Sequence, residues 1–206
     1  MVTAWDAESA RALWDQRYAD AGGDLWGKPP NRFVEQYLDG CPVGDVVDLA
    51  CGDGRNAVWL AGRGHTVTGV DLSPVALEQV REQAHQLGVE ISTLAADLTD
   101  WVPPVASFDV VIHSFLHLPQ PHRSAVLRAA AAALRPGGML VLVAHPVENL
   151  DRGTGGPPDP ALLPTVAEVR ADLAGMDLEA CELVERAVDG ADRPAIDLVV
   201  VAHAPA

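Results

Sequence analysis

Basic side chains are scarce in this sequence: 14 lysines and arginines stand against 29 aspartates and glutamates in 206 residues, a formal net charge of -15. An acidic chain opposes nucleic-acid and anionic-membrane partners, because binding phosphates needs a clustered basic face. Cysteine is nearly absent too. Cys41, Cys51 and Cys181 are too few and too scattered for a disulfide framework or a paired Cys-x-x-Cys metal site. Cys51 and Cys181 read as buried thiols. No uncharged apolar run approaches the ~18 residues of a membrane span, and charges interrupt every apolar stretch from Met1 to Asp20, which argues against a signal peptide. The expectation is a soluble, cytoplasmic protein with a small-molecule substrate and no metal; the oligomeric state stays open. Core-forming residues are plentiful, with 49% hydrophobic content, and residues 1–206 fit one domain.

The most informative stretch is Asp45-Val-Val-Asp-Leu-Ala-Cys-Gly-Asp-Gly-Arg55, an apolar run that ends in an acid and breaks into a Gly-x-Gly loop. The apolar period then changes from two to about 3.6, which predicts strand, tight loop, helix. A second run, Thr66 to Val70, ends at Asp71, roughly the 20-residue separation at which a ribose-binding carboxylate follows such a loop. Gly52 and Gly54 let backbone pass under a ligand, with Arg55 and Asn56 beside it, and Asp71 would accept from ribose hydroxyls. Gly52-Asp-Gly-Arg-Asn-Ala57 also satisfies the dinucleotide pattern, which keeps a nicotinamide cofactor in view. Three features favour S-adenosyl-L-methionine (SAM) instead. Asp48 would repel a pyrophosphate but suit an ammonium group. Asp48, Asp53, Asp71 and Asp97 all fall near predicted strand ends, and no basic cluster awaits an extra phosphate.

Alternating elements follow along the chain. Helices are expected over residues 9–19, 31–38, 55–63, 74–87, 122–134 and 165–174, with Ser73 as an N-cap, Pro74 in its first turn and Gly88 as a stop. Ala10, Leu13, Trp14, Arg17 and Tyr18 form one stripe of the first helix, and Val75, Val80, Ala84 and Leu87 the buried side of the fourth. Strands are expected over 66–70, 90–95, 108–114, 139–144, 178–188 and 195–202, and residues 146–164 should form a long loop. Near-continuous apolar strands between helices imply a mostly parallel sheet covered on both faces, with ligand at the carboxyl ends of the strands. That rule gathers Asp48, Asp71, Asp97 and His113 around one crevice.

Asp48-Leu-Ala-Cys-Gly-Asp-Gly54 resembles the first motif of class I SAM-dependent methyltransferases, with Ala50 where that family often has its first glycine. Val70-Asp71-Leu72-Ser73-Pro74, Ala96-Asp97-Leu98, Phe108-Asp109-Val-Val-Ile112 and Leu134-Arg-Pro-Gly-Gly138 follow in the family's order. The resemblance implies a three-layer, doubly wound, seven-stranded α/β sheet of Rossmann-like type, closed by an antiparallel pair with the last strand inserted beside the fifth. It also implies SAM as cofactor and S-adenosyl-L-homocysteine as product. Asp97 would contact the adenine amino group, Leu98 and Trp101 would flank the ring, and Leu72 would lie against the ribose. Trp14-Asp-Gln-Arg-Tyr18 and Trp26-Gly-Lys-Pro-Pro-Asn31 look like the N-terminal cap (residues 1–40, over a core of 41–206) of small methyltransferases related to the thiopurine and tellurite-resistance enzymes, with 146–164 as the substrate-side loop. Arg17 and Tyr18 become candidates for the methionine part of the cofactor, and Trp14 and Trp59 for packing.

His113, His117 and His122 follow the fourth strand, where family members place substrate-side groups; without an accompanying acid or cysteine they make no metal set. His117 is the candidate catalytic group for polarising or deprotonating a substrate. The cap resemblance points to a thiol or a sulfur, selenium or tellurium nucleophile, with O- or N-methylation as the alternative. An oxidoreductase and a non-catalytic SAM-binding protein are the readings from other classes.

Overall fold

A computed structural model describes residues 5–206. The strands are β1 (Asp45–Leu49), β2 (Thr66–Asp71), β3 (Ile91–Ala95), β4 (Phe108–Ser114), β5 (Leu134–Ala144), β6 (Asp177–Arg186) and β7 (Ala195–His203), and they form one sheet in the order β3-β2-β1-β4-β5-β7-β6. β1 to β5 pair in parallel, and β7 runs antiparallel to both β5 and β6. The α/β architecture with an inserted antiparallel last strand is therefore as expected.

The helices are α1 (Ala7–Ala21), α2 (Arg32–Leu38), α3 (Arg55–Ala61), α4 (Pro74–Leu87), α5 (His122–Ala132), α6 (Asn149–Arg152) and α7 (Val166–Asp172). Adjacent residues of β1 explain the continuous apolar pattern. Val46 buries against Val34, Leu38, Ala57 and Leu60 of α2 and α3, while Val47 packs in the cluster of Leu127, Ala130, Val169 and Leu173 of α5 and α7. A strand with helices on both faces has no solvent side on which to alternate.

Several boundaries and faces differ from expectation. The buried stripe of α4 is Ala76, Leu77, Val80 and Ala84; Leu87, off that stripe, is 66% exposed, and Val75 is half-buried. Leu13 is likewise exposed, leaving Trp14 and Tyr18 to face inward from α1. α5 stops at Ala132, and the chain joins the sheet at once: Leu134 pairs with Phe108 before the register jumps to Met139 opposite Val110. The segment 146–164 is not bare loop, since it contains α6 and a 3₁₀ turn at Pro160–Leu162. Asn149 pins it down by accepting from the Ile196 N–H at 2.7 Å and donating to the Gly155 carbonyl at 2.8 Å. Cys181 is half-buried rather than buried, whereas Cys51 is buried.

Ser73 caps α4 as expected, its Oγ accepting from the Ala76 N–H at 3.1 Å, and the same hydroxyl donates to Asp15 of α1. One side chain thus starts a core helix and ties α1 to it. Ser73→Ala should cost about 1–2 kcal/mol, lowering the melting temperature by roughly 2–8 °C in a thermal scan; an unchanged melting point would remove the hydroxyl from both roles.

Candidate active site

β1 is flanked by β2 and β4, so its carboxyl end lies mid-sheet, and Asp48 one residue before that end is fully buried. Neither of its carboxylate oxygens has a hydrogen-bond partner. Burial pushes its pKa up to about 7, with nearby Arg55 pulling it down and Asp71 pushing it further up. At the end of β2, Asp71 accepts from the Gly52 N–H at 2.8 Å and the Ser73 N–H at 2.9 Å, bracing the glycine loop against the next helix. Ala50, Gly52 and Gly54 all have positive φ (58°, 58° and 93°). A Cβ on Gly52 would lie 2.6 Å from the Tyr18 hydroxyl, and one on Gly54 would lie 2.8 Å from Val80 of α4. Glycine at these two positions lets the cap close over the loop and α4 close under it.

The cap is fastened at several points. Leu25 N–H donates to Asp53 Oδ2 at 3.0 Å, Asn31 N–H to Asn56 Oδ1 at 2.8 Å, and Gln79 Nε2 to the Tyr18 carbonyl at 2.8 Å. Buried Tyr18 accepts from Trp26 Nε1 at 3.2 Å, and its pKa is raised, first by burial, so its own O–H remains a donor. Arg17 is exposed and stacks over Trp14 at 4.6 Å and Trp26 at 5.8 Å. The guanidinium near Asp48 belongs instead to Arg55, which donates to the Trp26 carbonyl at 3.3 Å. Beyond β3, Asp97 accepts from Trp5 Nε1 at 3.0 Å and from the Thr99 N–H and hydroxyl at 2.8 and 2.9 Å. Burial acts upward on its pKa, but these three bonds together hold it below the ordinary value.

At the end of β4, His113 is buried, with Nδ1 unpartnered, and burial drops its pKa to about 4. His117 falls to about 3, first by burial, and its Nε2 accepts the His145 backbone N–H at 3.2 Å. Its ring proton therefore sits on Nδ1, and its lone pair is committed to the backbone. His117 is thus not arranged as a general base in this geometry, which bears against the deprotonating half of the role expected of it. Its ring stacks on His145 at 5.7 Å, with Phe115 5.0 Å from His145.

Residues 46–138 match the family model described as a methyltransferase domain. That stretch is similar to the methyltransferase domain of class I SAM-dependent methyltransferases. The chain is 38% identical over 113 residues to a ubiquinone biosynthesis O-methyltransferase of Idiomarina loihiensis, covering 52% of the chain and 45% of that protein. It is 36% identical over 146 residues to the 27-O-demethylrifamycin SV methyltransferase of Amycolatopsis mediterranei, covering 67% of the chain and 51% of the relative. The alignments span about half the length of the curated relatives they match. Magnesium protoporphyrin IX methyltransferase from Synechocystis PCC 6803, solved with bound SAH, superposes at a TM-score of 0.74 with 19% identity, covering 97% of the chain and 100% of that structure, which shows the shared fold.

The residues present fit the family's cofactor, SAM. An unpartnered buried carboxylate at Asp48 suits the methionine ammonium, and the braced Asp71 keeps a lone pair on each oxygen for ribose hydroxyls. Leu72 is half-buried beside it. Other expected contacts have structural duties. Asn56 holds the cap, and Leu98 and Trp101 pack against the core; Trp59, expected to pack, is half-buried with Arg63 3.8 Å over its ring. Among the described residues no cluster of His, Cys, Asp and Glu is placed to hold a metal, and no helix is long and apolar enough to cross a membrane.

Two outcomes follow from this geometry. Gly52→Ala places a methyl against Tyr18 and strains the loop backbone, so SAM affinity by calorimetry should fall at least tenfold; unchanged affinity would separate Tyr18 and the loop from the cofactor. Asp48 has a folded-state pKa above its ordinary 3.8, so its contribution favours the cofactor-free fold below about pH 4 and is lost as pH rises through about 7. Asp48→Asn should therefore stabilise the cofactor-free protein at pH 8 by about 1–3 kcal/mol, with little gain at pH 4, in denaturant titrations at both pH values.

Proposed function

We propose that this protein transfers the methyl group of SAM to a hydroxyl oxygen of a small molecule. The observation that carries the cofactor half is Asp48: a fully buried carboxylate with no partner, beneath a glycine loop, fits an ammonium group and would repel a dinucleotide pyrophosphate. We assign Asp48 to the ammonium, Arg55 and the Tyr18 hydroxyl to the methionine carboxylate, and Asp71 to the ribose. Gly52 and Gly54 provide the close approach. Asp97 would take the adenine amino group in place of the Trp5 indole. Bound SAM supplies a methyl group on a sulfonium, open to in-line attack. The chain's part is to hold the acceptor close to that methyl and keep water out, with residues 5–40 as the cap and 146–164 as the acceptor-side loop.

The oxygen acceptor is favoured by the relatives, whose names specify O-methylation of a ubiquinone precursor and of a rifamycin. The thiol or chalcogen acceptor drawn from the cap resemblance has no comparable support. Labelled-SAM turnover against phenols, catechols, aliphatic alcohols, thiols and amines tests the choice: incorporation into hydroxyl compounds is expected, and incorporation into thiols alone would restore the chalcogen reading.

Binding should also be pH-dependent. An ammonium partner favours ionised Asp48, so below about pH 7 SAM binding must drive off a proton. Affinity should weaken toward tenfold per pH unit on that acid limb, and weaken again above roughly pH 8 as the ligand's own amino group deprotonates. Calorimetric titration of Asp48→Asn should give weaker binding with the acid limb flattened; an unaltered limb would place the proton elsewhere.

A further inference from the structure

His145 follows β5 directly, Asp197 is the third residue of β7, and Arg186 is the last residue of β6. Because β7 is inserted antiparallel between the other two strands, these residues meet at one corner of the sheet. Asp197 is fully buried, and its carboxylate accepts from Arg186 Nε at 2.5 Å and Nη2 at 3.3 Å. His145 Nδ1 lies 3.4 Å from Asp197 Oδ1 and 3.3 Å from the Ile196 carbonyl.

Both neighbours of Nδ1 are acceptors and nothing else, so Nδ1 must carry the ring proton. In the neutral ring the lone pair is then on Nε2, which takes no hydrogen bond from the described residues. The stacked partner His117 has spent its own Nε2 on the His145 backbone N–H. Two adjacent imidazoles thus differ: His117 has spent its lone pair, and His145 keeps one. The ring of His145 is held between Phe115 and His117 on one side and Gly156 on another, where a Cβ would stand 2.7 Å from its Cδ2. Burial holds its pKa below the ordinary histidine value, against the upward pull of Asp197, so the lone pair is available at neutral pH.

We propose that His145 Nε2 accepts the proton of the acceptor hydroxyl, with Asp197 as the positioning residue that fixes its tautomer and Arg186 fixing Asp197; this rests on the methyltransferase reading. In the step, the acceptor's O–H bond breaks and its proton passes to Nε2, while the oxygen forms the new bond to the methyl carbon. The electron pair of the methyl–sulfur bond returns to sulfur, leaving a neutral thioether. The imidazolium formed faces Asp197 and later returns its proton to water. The arrangement selects the acceptor class, because a thiol ionises near pH ~8.5 unaided and an amine attacks through its own lone pair, whereas a hydroxyl needs a base.

The test has a readout independent of turnover. Long-range proton–nitrogen NMR of the cofactor-free protein, at a pH where the ring is neutral, should show His145 protonated at Nδ1 with Nε2 bare, and a neutral ring carrying its proton on Nε2 would overturn the proposal. His145→Asn keeps a donor toward Asp197, and His145→Gln serves as a second variant should the first melt early. With the hydroxyl compound that the unaltered protein methylates fastest, either change should lower kcat by ~10²- to 10⁴-fold. SAM affinity should stay within about twofold, and the acid limb of the kcat–pH profile should vanish. Asp197→Asn should lower kcat less and shift the tautomer signal. A rate within threefold of the unaltered protein, or an unaltered protein that methylates only thiols or amines, would overturn the role of His145. Failure of the unaltered protein to bind SAM would instead overturn the methyltransferase reading, and this role with it.

Discussion

The structure turns on a carboxylate with nothing to satisfy it. Asp48 lies within the buried part of a central strand, one residue before its end, so solvent cannot reach it from either face of the sheet, and the pull of Arg55 is opposed by the repulsion of Asp71. Burying an unpartnered ionised carboxylate is expensive, and a chain selected for stability alone would place an apolar residue there. Its pKa near 7 is the compromise: the group sheds its charge easily when alone and regains it beside a cation. Instability in the empty protein and affinity for a cationic ligand are then two expressions of one interaction.

The surrounding parts make that carboxylate usable. Positive φ at three of the five residues from Ala50 to Gly54 bends the chain sharply away from the strand. For Ala50, unlike the glycines, this conformation is strained by roughly 1–2 kcal/mol. Asp71 offsets part of that strain by receiving the Gly52 N–H, and Asp53 receives the cap at Leu25. The cap is consequently joined to the loop, to α3 through Asn56 and to α4 through Gln79 and Ser73. A motion of α1 has to be felt at the glycine loop.

Much of this was legible because parallel strands write their burial into consecutive residues. Runs such as Val46 to Leu49 and Val110 to Ile112 are apolar on both faces, and acids or histidines at their ends mark the crevice. Side-chain choice within the cap was less legible. Arg17 and Arg55 are both arginines near aromatic residues, and only packing shows that Trp14 and Trp26 hold the first while the second lies beside Asp48. Trp5 could not be paired with Asp97 from spacing, since nothing local links them. His145 had a usable signal, standing at a strand's carboxyl end just as Asp48 and His113 do. Asp197 had another, a lone acid within the apolar run from Ala195 to Ala202. Their contact depends on the insertion of β7 beside β5, which brings residues far apart in sequence to one corner.

The two ends of the crevice use burial in opposite senses. At the β1 and β2 end it raises carboxyl pKa values, and at the β4 and β5 end it lowers those of His113, His117 and His145. Each of these shifts disfavours the charged form of its group. A cationic ligand entering one end would restore negative charge at Asp48, while the imidazoles at the other end stay uncharged and the His145 Nε2 lone pair is left for an acceptor. The sheet keeps these regimes apart, since β1 presents the acid and β4 the first histidine on adjacent strands, with Leu49 and His113 in register. A nucleoside cation and a neutral acceptor can therefore be held side by side without either end neutralising the other.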